Sequence, residues 1–231
     1  MPNIFLIPNC LSPDDFKCIP KYFIKEIKQI DLFVIEKPKT FRRLLVHLGL
    51  KEKINTSTIL EWPKKGQAID WWNIINAKKG LEIGIVSDAG CPAVADPGTE
   101  IVLWGHKNGY QIRPLVGPNS IIMSLMASGL NGQTFSFNSY LPIEEMACNK
   151  KLKDLESSSR KEKRTQIFIE TPYRNDKLFR QLILSLSPET NLCVAIDITG
   201  EKENIRTKKI KEWAKRPIII GKQACIFLFL A

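Results

Sequence analysis

Residues 86–98 read VSDAGCPAVADPG and set two carboxylates, Asp88 and Asp96, among glycines, prolines and small residues. An apolar run at 83–86 precedes this segment, and a helical pattern at 98–108 follows it. In open α/β sheets, ligands bind beyond the carboxyl ends of strands, where such a segment lies. Gly90 and Gly98 permit positive φ or close approach of backbone to a ligand, and Pro92 and Pro97 stiffen the loop. Ala89, Ala93 and Ala95 leave room for a flat group. Asp88 suits acceptance of hydrogen bonds from hydroxyls or an ammonium, whereas Asp96, heading Asp-Pro-Gly, is expected to cap the following helix.

The elements that must position this loop follow from hydrophobic patterning. Short apolar runs alternate with amphipathic stretches, which argues an α/β fold. Strands are expected at 4–7, 32–35, 83–86 and 112–116, with helices at 20–30, 67–78 and 98–108. A further helix is expected from a cap at Thr40 through Leu48, closed by Gly49. The segment 117–120 opens a helix at 121–128. Beyond it, strands are expected at 135–137, 166–169, 192–198, 204–207 and 225–230, and helices at 144–158 and 176–186. A boundary near 115–117 divides the chain into an N-terminal α/β domain, 1–115, and a C-terminal one, 116–231.

Bulk properties narrow the function classes. The 231 residues, 44% of them hydrophobic, suffice for one large core or two modest ones. No apolar run reaches the roughly 18 residues needed to span a bilayer. The opening MPNIFLIPNC has no basic leader and reads as a first strand, not a signal peptide, and no appended module is expected after the last strand. Six cysteines without a CxxC, and two distant histidines, His47 and His106, argue against a metal site and for a reducing, cytoplasmic setting. The net charge of +10 suits a polyanionic partner such as nucleic acid; a lysine-, isoleucine- and asparagine-rich composition from AT-rich coding accounts for it equally well. After the first strand run comes Pro8-Asn9-Cys10-Leu11-Ser12, with no glycine, so the fingerprint of a dinucleotide site is missing.

The loop resembles the VSDAGxPxxxDPG signature of the bacterial 16S ribosomal RNA 2′-O-ribose methyltransferase group, within the tetrapyrrole-methylase superfamily. Four further blocks agree, in order and over nearly the whole chain. These are Ile35-Glu36 with 40–45 (TFRRLL), 115–120 (LVGPNS) with 127–130 (ASGL), Phe135 to Pro142, and 167–174 (IFIETPYR). In the third, Ser139 stands where glycine is usual.

The resemblance implies two α/β domains with S-adenosyl-L-methionine in the cleft between them, usually in a homodimer. It implies donor contacts at Pro8, Val86, Ser87, Asp88, Cys91, Asn119, Ser120, Ile121, Glu170 and Ile198. Such a donor has no phosphate to cradle; it needs hydroxyl acceptors and a constrained pocket. Methyl transfer to a ribose 2′-hydroxyl draws on alignment and on a base for the departing proton. Glu36 and Glu170 are the candidate catalytic groups, and Lys39, Arg42, Arg43, Tyr173 and Arg174 the candidate substrate contacts. Glu170 and Arg174 also have the i,i+4 spacing of a structural ion pair. Basic stretches at 150–164 and 202–216 are candidate phosphate contacts or, equally, solvated faces.

The chain departs from the pattern at Lys37-Pro38-Lys39, where the family has acidic-Thr-Arg, and at Tyr173, where histidine is usual. The first loop lacks P-x-G-N-L. The expected partner is ribosomal RNA or the small ribosomal subunit, with no membrane and no metal. Two alternatives share the fold: a small-molecule methyltransferase acting on a corrin or porphyrin, and a non-catalytic relative that binds the donor or RNA.

Overall fold

A computed structural model describes residues 1–13, 15–63, 72–77 and 80–231. The chain divides into two compact units, Met1–Asn119 and Ser120–Ala231.

The first unit holds strands β1 (Asn3–Ile7), β2 (Leu32–Ile35), β3 (Thr58–Glu61), β4 (Ile83–Val86) and β5 (Gln111–Pro114), and helices α1 (Phe23–Lys28), α2 (Pro38–His47), α3 (Lys53–Thr56), α4 (Trp72–Ala77) and α5 (Thr99–Lys107). Its strands form one parallel sheet in the order β3-β2-β4-β1-β5. Helices cover both faces, so the central strands read as unbroken apolar runs. Phe5, Ile7, Phe33 and Ile35 pack with Phe23 and Ile27 of α1 and Phe41, Leu44 and Leu45 of α2. The alternate positions Ile4, Leu32, Val34, Ile83 and Ile85 pack on the other face with Ile75 of α4 and Ile101 of α5. Adjacent strands β1 and β4 therefore send the chain to opposite faces, and the gap that opens there is where an α/β sheet takes a ligand.

The second unit holds β6 (Phe135–Tyr140), β7 (Thr165–Ile169), β8 (Asn191–Ile196), β9 (Asn204–Lys209) and β10 (Cys225–Leu230), with α6 (Ser120–Ser128), α7 (Glu145–Glu162), α8 (Asn175–Ser185) and α9 (Ile210–Lys215). The order is β6-β7-β10-β8-β9, with β6 and β7 parallel and β10 antiparallel to both neighbours. Leu152 and Leu155 of α7, Phe179 and Leu182 of α8 and Trp213 of α9 pack with Phe168, Val194, Phe227 and Phe229 from the sheet. The fully buried Trp213 donates through Nε1 to Leu192 O at 2.9 Å and meets Phe179 edge-on.

Several local expectations are corrected. Thr40 is not a cap: Lys37 is the N-cap of α2 and Pro38 opens it, its fixed φ suiting a first helical turn. Asp96 caps nothing, because Gly98, at φ +135°, is the N-cap of α5 with no side-chain bond. β5 ends at Pro114 rather than 116, and α7 runs four residues past 158 to a left-handed Lys163. The short strand β3 and the helix α9 were not expected from the pattern. Of the helix expected at 67–78, residues 67–71 and 78 lie outside the described residues; α4 occupies 72–77. Ser139, in the usual glycine position, keeps a left-handed φ of +56° beside a register shift between Phe137 and Tyr140.

Candidate functional site

The gap between β1 and β4 is built by two loops tied to each other. Asn9, two residues past β1, forms an isolated antiparallel bridge with Gly90. Asn9 N donates to Gly90 O at 2.9 Å, and Gly90 N donates to Asn9 O at 3.0 Å. The buried Asn9 side chain completes the tie: Nδ2 donates to the carbonyls of Ser87 and Asp88, and Oδ1 accepts from Cys10 N. Ser87 Oγ donates to Gly90 O at 2.6 Å, and Gly90 sits at φ +71°, which the tight turn requires. Cys91 Sγ lies 3.5 Å from Pro118 O. Pro8 is buried, and a Cβ on Gly117 would fall on its ring, so glycine is required there.

Asp88 is met by a hydroxyl and an ammonium of its own chain. Oδ1 accepts from Thr40 Oγ1 at 2.8 Å, and Oδ2 pairs with Lys37 Nζ. Asp88 N donates to Glu36 Oε2 at 2.9 Å, so the end of β2 and the start of α2 close one side of the loop. The ion pair raises the Lys37 ammonium, chiefly through its hydrogen bond to Asp88. Burial, reinforced by the carboxylates of Glu36 and Asp88, pushes the Asp96 carboxyl up to about 7 despite the nearby Lys37. A cavity of about 150 Å³ opens beside this cluster. Asn9, Thr40, Arg43 and Asp88 supply its polar wall and Leu11 and Phe16 its apolar wall.

The structure thus brings Pro8, Val86, Ser87, Asp88, Cys91, Glu36 and Arg43 to one end of the first sheet. Lys39 and Arg42 are exposed on the adjoining helix α2. Asn119 ends the first unit, and Ser120 and Ile121 open α6 of the second. In the second unit, Glu170 follows β7 with its side chain wholly buried. Its Oε1 accepts from Thr171 N at 2.6 Å, and its Oε2 lies 3.0 Å from Arg174 Nη2. That contact is the i,i+4 ion pair that the spacing allows. Tyr173 is exposed, with Lys222 Nζ 5.1 Å from its ring centre. Ile198 is buried in the turn after β8. Part of the basic stretch at 202–216 is already neutralised, because Lys209 and Lys211 both pair with Glu189.

Sequence reasoning put the first loop, about residues 8–11, at the donor without foreseeing the tie that Asn9 makes to Gly90, and it misassigned Thr40 and Asp96. All three act through partners more than 40 residues away, or through burial, and neither leaves a local pattern. Among the described residues, no group of three or more His, Cys, Asp or Glu is placed to hold a metal, and no helix is long and apolar enough to cross a membrane.

Comparison with known proteins supplies the kinship. No family model matches the chain. The Vibrio cholerae protein named ribosomal RNA small subunit methyltransferase I is 28% identical over 211 residues, covering 91% of this chain and 70% of that protein. The protein of the same name from Buchnera aphidicola subsp. Schizaphis graminum is 31% identical, covering 83% and 66%, and that from Thermotoga maritima is 26% identical, covering 82% and 81%. The chain thus spans about two thirds of the length of the first two. Among solved structures, diphthine synthase matches all of this chain and 90% of its own, with a TM-score of 0.67 at 14% identity, which speaks for the fold alone. The motif blocks, the sequence kinship along most of the chain and the shared two-unit fold together make this a member of the tetrapyrrole-methylase superfamily, related to the ribosomal RNA small subunit methyltransferase I proteins.

Proposed function

We propose that the chain is an S-adenosyl-L-methionine-dependent methyltransferase that modifies a ribose 2′-hydroxyl of ribosomal RNA, working as a cytoplasmic homodimer. The observation that carries this reading is the kinship over 91% of the chain with a protein named ribosomal RNA small subunit methyltransferase I.

The residues at that loop fit one end of such a donor. Asp88 is an acceptor for its hydroxyls or ammonium, and Leu11, Phe16 and Ala89 offer an apolar wall. Bound, the donor supplies a methyl group activated on a sulfonium. The protein aligns it with the acceptor and keeps water away, which supplies most of the rate in an in-line displacement. Glu36 holds the loop through Asp88 N and is thereby a positioning residue. Glu170 is engaged by Arg174 and Thr171, so its role is to fix the corner after β7.

One observation favours the non-catalytic relative: Lys37 occupies the carboxylate expected to meet the donor. Titration calorimetry with S-adenosylhomocysteine tests the donor site: micromolar binding is expected, and absence of binding removes the enzyme reading. Mapping of ribose methylation on small-subunit RNA from cells lacking the protein then tests the acceptor. One lost 2′-O-methyl group is expected, and an unchanged map overturns the ribosomal assignment.

A further inference from the structure

Helices α7 and α8 pack side by side on the second unit and leave a groove of about 470 Å³ between them. It lies on a different unit from the cavity beside Asp88. Lys153 lines it from α7, and Lys177 and Arg180 from α8; all three are exposed. Neither lysine has an ion-pair partner among the described residues.

The floor of the groove is fixed so that it also presents donors. Asn149 Oδ1 accepts from Gln181 Nε2 at 2.9 Å and from Ser185 Oγ at 2.8 Å. Those two bonds settle the orientation of the amide and leave both N–H groups of Asn149 Nδ2 for a ligand. The second N–H of Gln181 Nε2 is spent on Glu145 O at 3.1 Å. Arg180 uses Nε on Asp176 O at 3.2 Å, which holds the guanidinium in place and leaves its terminal nitrogens available. Three cations and an oriented amide, its oxygen already occupied, thus converge on one space. Glu145, at the mouth, is the one carboxylate in the lining.

We propose that this groove binds a phosphodiester of the RNA backbone, so that the substrate is gripped on the outer helices of the second unit as well as at the reacting end. The inference rests on the RNA reading above. A phosphate offers several acceptor oxygens and a negative charge to Lys153, Lys177, Arg180 and the Asn149 amide. A basic helix face without such a floor would attract RNA diffusely; here the fixed Asn149 and Arg180 select a single anionic group.

The test is fluorescence anisotropy of a short mixed-sequence RNA across a series of potassium chloride concentrations. The triple variant Lys153→Gln, Lys177→Gln, Arg180→Gln is expected to weaken binding by about tenfold or more. It should also lower the slope of log K against log salt by about 0.7, the worth of one phosphate contact on a single strand. Glu145→Gln is expected to tighten binding. An unchanged affinity and slope in the triple variant, or weaker binding by Glu145→Gln, overturns the proposal. Calorimetry with S-adenosylhomocysteine on the same variants keeps the two readings apart. Failure of the groove leaves donor binding intact, whereas failure of the methyltransferase reading abolishes donor binding in the unmodified protein.

Discussion

Asp88, two residues beyond β4, and Glu170, one residue beyond β7, both sit where a strand gives way to a loop, but they are held in opposite ways. Asp88 is reached by Lys37 and Thr40 from a distant helix, and its side chain keeps 24% of its exposure. Lys37 itself is 64% exposed. Glu170 is wholly buried and bound by its sequence neighbours Thr171 and Arg174. An exposed lysine costs little to displace, because a surface ion pair is worth about 0–1 kcal/mol. A buried carboxylate that loses its cation keeps its desolvation penalty. The first arrangement can yield its partner to a ligand, and the second holds a corner.

Substitutions that should separate the two fall in order of size. Glu170→Ala removes a buried acceptor and leaves Arg174 and Thr171 N without it. A stability loss of about 2–3 kcal/mol is expected in urea unfolding, and a loss under about 0.5 kcal/mol would break the contrast. Asp88→Ala is expected to weaken S-adenosylhomocysteine binding at least about tenfold, or about 1.4 kcal/mol. Its stability cost should be smaller, about 1 kcal/mol for the Thr40 bond. An unchanged dissociation constant would give Asp88 the same scaffolding role as Glu170.

Asp96 tests the electrostatics of the same cluster, whose charged members are Glu36, Asp88 and Lys37. Its folded-state carboxyl is raised from 3.8 to about 7, so between those values the folded protein holds a proton that the unfolded chain has lost. Stability should therefore fall as pH rises through that window. Asp96→Asn should flatten the fall, which denaturation midpoints at pH 5 and pH 8 would reveal; parallel profiles would refute it. The smallest effect belongs to Lys37→Met, expected to change stability by less than about 1 kcal/mol. It should leave donor affinity equal or higher, and a marked loss of affinity would make Lys37 part of the donor site.

The pattern of the chain disclosed what local physics encodes. The runs that became β2, β4 and β10 are buried on both faces, and the loop after β4 carried its glycines and carboxylates in plain view. β3 escaped notice because TILE is short and only partly buried. α9 lay hidden in a lysine-rich stretch because only Ile210 and Trp213 of its six residues are buried. Thr40 looked like a cap because a threonine ahead of an apolar helical run usually is one; its partner Asp88 lies 48 residues on. The raised carboxyl of Asp96 comes first from burial and then from Glu36, 60 residues back along the chain, with Asp88. Long-range pairing of this kind has no periodicity to read.

The Asn9–Gly90 bridge has a bearing on affinity. Loops that must be ordered by their ligand subtract that ordering entropy from binding, at about 1–2 kcal/mol for each backbone residue fixed. Here the two loops at the sheet end are fastened to each other by a pair of backbone hydrogen bonds and a buried asparagine before any ligand arrives. Folding has therefore already met the cost of shaping that wall, and the amides of Asn9 and Gly90 should exchange with solvent far more slowly than loop amides ordinarily do.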